Sequence, residues 1–174
     1  MFCKSRVTVV MNKDRIEELF LVEFDINENE YYAFWYTGDV DGFLLNGNKK
    51  IRCYRTESKA RLFARRKGYR LDDEITLIST DIFQSLKMGN IDCNLVLTCW
   101  NLLSDAAHSV DCQFWGDDRD EDTQNIYRKL FYGCNLPAMK MNGEDYFPDW
   151  NEEEKKRIVG ILENGFKNLC GALN

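Results

Sequence analysis

The 174-residue chain has two prolines, a single histidine and no long apolar run. A membrane-spanning helix needs about 20 consecutive apolar residues, so an integral helical membrane protein is excluded. Near the start, only Val7-Thr8-Val9-Val10 follows the basic Lys4-Ser5-Arg6. A secretory signal needs an apolar stretch of about 7–15 residues there, and the cytosol is the expected compartment. Neither Gly-x-Gly-x-x-Gly nor Gly-Lys-Ser/Thr occurs, which removes the familiar phosphate-cradling loops. Internal repeats, low-complexity segments and linkers are also missing.

Cysteine is present but unpatterned. Cys3, Cys53, Cys93, Cys99, Cys112, Cys134 and Cys170 are odd in number and form no Cys-x-x-Cys pair. A structural zinc site ordinarily draws close ligand pairs from tight turns. These thiols therefore read as small buried hydrophobes in a reducing compartment, and neither a metal nor a cofactor is expected.

What remains is ample for one core. Hydrophobic residues make up 44% of the chain and aromatics 13%, which excludes disorder. At this length folding removes about 70% of the unfolded chain's surface from water. A single domain spanning residues 1–174 is the expectation.

Residues 1–80 alternate β-prone runs with turn residues. Leu19–Ile26 and Tyr31–Thr37 flank the polar Asn27-Glu28-Asn29-Glu30 and read as a hairpin. Further strands are expected over Arg6–Val10, Lys50–Arg55 and Glu74–Ser79. Thr56 reads as the N-cap of a helix over Glu57–Lys67, with Gly68 closing it in the left-handed conformation. Ala60, Phe63 and Ala64 fall on one face of that helix, towards the sheet.

The period then changes. Asp92 is a cap for a helix from Cys93 to about Ala107, and Asp122 or Thr123 for one carrying Ile126, Tyr127, Leu130 and Phe131. Asn151 and Glu154 form a variant capping box, with Trp150 as a hydrophobic staple, before a helix to about Leu169. The fold class is α+β: a β-rich N-terminal meander carrying one helix, then a mainly helical C-terminal half.

Charge is as uneven as structure. The net charge of −6 divides into +1 for residues 1–90 and −7 for residues 91–174. The densest acidic run is Trp115-Gly116-Asp117-Asp118-Arg119-Asp120-Glu121-Asp122. Such a field repels nucleic acid and favours a basic protein partner, of which nucleases are natural examples. Carboxylates could occupy phosphate subsites in a nuclease cleft, and a large rigid indole suits an anchor. Trp115, Asp117, Asp118, Asp120, Glu121 and Asp122 are therefore the candidate partner-binding residues, and a solvated solubility loop is the competing reading. An EF-hand is discounted because Gly116 precedes the acids.

Enzymatic signals are weak. His108 has Ser104, Ser109, Asp105 and Asp111 nearby in sequence, the residue types of a nucleophilic triad. A histidine at a helix C-terminus, however, ordinarily serves the helix dipole. The helix with Lys59, Arg61, Arg65, Arg66 and Lys67, flanked by Tyr54 and Tyr69, has the composition of a nucleic-acid binder. The acidic field opposes that use, and direct contact with nucleic acid or membrane is not expected.

Three stretches carry a family likeness: Trp100-Asn101-Leu102-Leu103-Ser104-Asp105, then Ile126 through Pro137, then Tyr146 with Pro148-Asp149-Trp150 before a Glu-rich helix. Across roughly residues 95–169 the chain resembles bacterial immunity proteins of contact-dependent growth inhibition systems, in the subgroup protecting against ribonuclease toxins. The resemblance implies a cytoplasmic antitoxin without enzymatic activity. It would bind the C-terminal nuclease domain of its cognate toxin, with an EndoU-type ribonuclease preferred. It carries over no catalytic residues. The alternative is an acidic, non-catalytic scaffold or regulator for another basic protein.

Overall fold

The β-hairpin expected from the polar turn is the centre of the N-terminal sheet. In this computed structural model, which describes residues 10–11, 14–139 and 144–173, strand β2 (Asp14–Asp25) pairs antiparallel with β3 (Glu30–Gly38). Asn27 and Glu28 both take positive φ, 50° and 64°. The Ile26 and Asn29 amides each donate to the other residue's carbonyl across them. This is the type I′ turn whose twist suits a hairpin.

Four short strands complete the mixed sheet. Strand β1 (Val10–Met11) and β6 (Ile75–Ser79) pair with β2, while β4 (Gly42–Phe43) and β5 (Cys53–Tyr54) pair with β3. The expected Arg6–Val10 strand lies outside the described residues except for Val10. The expected Lys50–Arg55 strand shrinks to two residues plus the Leu45–Ile51 bridge. Strand β6 is parallel to β2, so this part is not a simple meander. Parallel pairing requires a crossover, and helix α1 (Glu57–Lys67) lies between β5 and β6 in the chain.

Alternation fixes the faces of the sheet. Leu21, Tyr32 and Phe34 point to the side where Ala60, Phe63 and Ala64 of α1 pack, as the spacing on that helix predicts. Val22, Phe24, Ala33, Phe43 and Ile78 are buried on the opposite side. Gly68 closes α1 at φ 74°. Thr56 occupies the N-cap position in extended conformation, but its hydroxyl makes no capping bond.

The chain groups into two compact units, one running up to Ser79 with Leu173 added, the other Thr80–Ala172. In the second, helices α3 (Cys93–Ser109), α4 (Glu121–Gly133) and α5 (Glu152–Ala172) pack on one another, with α2 (Ile82–Lys87) against α5 through the Phe83–Phe166 ring pair. Asp92 caps α3 as expected, accepting from the Leu95 amide at 3.1 Å. The Asn151–Glu154 box is reciprocal: the Glu154 amide donates to Asn151 Oδ1 (2.9 Å) and the Asn151 amide to Glu154 Oε2 (3.0 Å). Trp150 meets the Lys129 ammonium, 4.9 Å from its ring centre. The cap of α4 is Asp120, not the expected Asp122 or Thr123, with Oδ1 accepting from the Thr123 amide. No disulfide joins the described cysteines, and no described helix is long and apolar enough to cross a membrane.

Candidate functional site

The acidic run begins as a single tight turn. Residues Trp115–Asp117 form a 3₁₀ turn between α3 and α4, and a glycine in its middle is obligatory. A Cβ on Gly116 would collide with the Phe114 ring and stand 2.6 Å from Trp100 Nε1. The two rings meet edge to face, with centroids 6.2 Å apart, and both are buried. The turn is thus seated on an aromatic floor.

Helix α5 and helix α3 brace it from two sides. Asn164 Oδ1 accepts from the Trp115 amide (2.9 Å), and one helical turn later Asn168 Nδ2 donates to the Gln113 carbonyl (2.8 Å). From α3, the Ser104 hydroxyl donates to Asp117 Oδ1 (2.8 Å), and His108 Nε2 lies 2.7 Å from Asp117 Oδ2. Held this way, Trp115 remains 53% exposed. Its indole lies alongside α5 at Gly160, where a Cβ would stand 3.9 Å from Cζ3.

The carboxylates of the run divide by what they touch. Arg157 of α5 donates to Asp120 Oδ1 (2.6 Å), to Thr123 Oγ1 (3.0 Å) and to Asp122 Oδ2 (3.3 Å). The Thr123 side chain and amide, then the Arg157 guanidinium, hold the Asp120 carboxyl below its ordinary value. Asp120 is therefore a structural cap. Asp117 is engaged by Ser104 and His108. Asp118 and Glu121 are exposed, and neither has a side-chain partner among the described residues.

These groups border an open groove of about 820 Å³, lined by Trp115, Asp118, Asp122, Asn125, Glu153 and Arg157 among others. The sequence located one rim of this groove. It missed Arg157, Asn164 and Gly160, which come from a helix far along the chain and carry no local signal. The groove's lower wall is stiffened by Lys129, which donates to both Glu154 carboxylate oxygens and to the Asp149 carbonyl. Burial pulls the Glu154 carboxyl upward. The Lys129 bonds, the Asn151 amide and the Lys129 charge outweigh it and hold the group below its ordinary value.

The His108 surroundings do not assemble a triad. Ser104 and His108 both bond to Asp117, so the carboxylate sits between them. A nucleophilic mechanism needs the base between nucleophile and carboxylate. The carboxylate at His108 Nε2 is Asp117, which is not among the expected orienting residues Asp105 and Asp111. Among the described residues no group of three or more His, Cys, Asp or Glu side chains is arranged to hold a metal ion.

The basic helix partly satisfies itself. Arg61 bonds Glu57 (2.6 Å) and the carbonyls of Asp72 and Asp73, while Arg65, Arg66 and Lys67 stay exposed. The family-like stretches are largely packing. Trp100 stacks edge-on against Tyr127, whose hydroxyl donates to Asn101 Oδ1 (3.0 Å), and Pro148 backs onto Gly133. Compared with known protein families, curated proteins and solved structures, the chain matches none.

Proposed function

We propose that this chain is a cytoplasmic immunity protein. It binds the C-terminal ribonuclease domain of a contact-dependent growth inhibition toxin, EndoU-type by preference, and blocks its active site or RNA-binding cleft. The observation that carries the reading is Trp115, half-exposed on a turn braced by two helices and set beside an acidic groove. Rigid aromatic anchors contribute most of the energy of protein interfaces, because they cover much area with few rotors to freeze. A cleft that must attract RNA is basic, and Asp118 and Glu121 have charge available to meet it. The placement of Asp117 between Ser104 and His108 supports a non-catalytic role.

Co-expression tests this reading. An immunity gene should lie directly downstream of its toxin gene. The C-terminal domain of the protein encoded directly upstream, produced alone in bacterial cells, is therefore expected to arrest growth and degrade RNA. Producing this chain alongside it should restore growth. Arrest that persists with the chain present at high level would sink the proposal.

A further inference from the structure

The most exposed large apolar side chain in the described structure is Phe147, at 81%. It stands between two anchored neighbours. On one side Asn135, itself at φ 53°, clamps Tyr146: its Nδ2 donates to the Tyr146 carbonyl (3.1 Å) and its Oδ1 accepts from the Tyr146 amide (2.6 Å). On the other, Pro148 packs at Gly133, where an added Cβ would stand 3.1 Å from the Pro148 ring. The backbone of this segment is therefore fixed while Phe147 projects into water. Tyr132 and Leu136, exposed beside Asn135, and the exposed Tyr146 extend the apolar surface. Exposed apolar patches of this kind mark interaction sites.

Charge indicates what covers it. Glu144, Asp145 and Asp149 flank the aromatic pair, all exposed, with no Lys or Arg within residues 144–149, although the Lys129 ammonium bonds the Asp149 carbonyl. That rim repels anionic lipid and nucleic acid and suits a cationic protein surface. The exposed face of α4 runs from the acidic turn to Tyr132, whose carbonyl accepts from the Asn135 amide. Glu121, Asn125, Arg128 and Tyr132 recur at spacings of three and four, so they share one helix face, and all four are exposed. At 1.5 Å per residue the stripe is about 17 Å long, within the reach of one standard interface of about 800 Å² per partner.

We propose that Phe147, with Tyr146, is a second aromatic anchor that inserts into an apolar pocket on the same basic partner, whose surface follows the exposed face of α4 from Trp115. The inference rests on the inhibitor reading above. The structure assigns Asn135 the part of a positioning residue that keeps Phe147 extended before the partner arrives, which reduces the ordering cost of binding.

The test uses the full chain and the purified C-terminal domain of the upstream-encoded protein. Phe147→Ala should leave the unfolding temperature unchanged and raise Kd about thirtyfold, the effect of losing a typical anchor. Phe147→Leu, which keeps apolar bulk, should recover part of that loss. A Kd within about twofold of wild type for a folded Phe147→Ala would overturn the second anchor and leave the inhibitor reading intact. Absence of binding by the wild-type chain would remove both. Concentration-dependent dimers of the chain that Phe147→Ala dissolves would assign the patch to a second copy and overturn the proposal.

Discussion

At the scale of single residues, the acidic run separates into structural and available groups. Asp120 caps α4 and holds Arg157, whereas Asp118 and Glu121 face solvent without side-chain partners among the described residues. Under the proposed function, Asp118→Asn with Glu121→Gln should lower the association rate with the toxin domain, and the difference should fade as salt rises. Trp115→Ala should instead raise the dissociation rate, because a truncated anchor weakens the formed complex. Stopped-flow association and surface dissociation traces separate the two. Gly116→Ala tests the seat of the anchor. Its methyl must displace Trp100 and Phe114, so a loss of about 1–3 kcal/mol is expected in denaturant unfolding. The run itself was legible in the sequence because acids and a tryptophan are adjacent there. Which acids are occupied was not, since Arg157 lies 37 residues beyond Asp120 and His108 meets Asp117 only through folding.

At the scale of elements, signals that act within one turn were readable. The Asn151–Glu154 box, the Asp92 cap and the Gly68 terminus all depend on residues three or four apart, and each forms as expected. The cap of α4 lies before the expected Asp122 or Thr123 because it is Asp120 whose Oδ1 accepts from the Thr123 amide three residues on, while Arg157 reaches all three residues. Strand β4 escapes the sequence pattern because two residues cannot show alternation, whereas β5 is the short remnant of the strand expected over Lys50–Arg55; pairing with β3 defines both. The β2–β3 turn offers a direct check. Glu28 at φ 64° bears the left-handed cost of a side chain, so Glu28→Gly should stabilise the protein by about 1 kcal/mol, measured by urea unfolding. The Lys129–Glu154 pair gives a pH dependence of known sign. Glu154 is held below its ordinary value of 4.5, so its contribution is complete above that value and is lost as pH falls through the lower folded one. Glu154→Gln keeps the capping box and should cost about 1 kcal/mol near neutrality. The gap between variant and wild type should close in acid, as followed by thermal unfolding from about pH 7 down to pH 3.

At the scale of the whole molecule, the class of fold follows from a change of hydrophobic period near residue 80, from alternating runs to helical stripes. The α+β composition, with one helix in the β-rich half and three long helices in the second, is what that change predicts; the short α2 adds a fourth that the pattern does not show. No disulfide joins the described cysteines; Cys93 and Cys99 are buried as expected, Cys112 and Cys170 are exposed instead, and burial pushes the Cys99 thiol up to about 12. Purified protein should therefore unfold cooperatively at the same temperature with or without chelator or reductant. The net charge of −6, concentrated in the half that holds the groove, is the long-range part of the proposed recognition. That recognition is proposed to inhibit a basic ribonuclease. The most direct measurement is cleavage of purified RNA by the upstream-encoded C-terminal domain, with increasing amounts of this chain. Cleavage should fall to background once the chain is equimolar with the domain, whereas undiminished cleavage in excess chain would contradict the account.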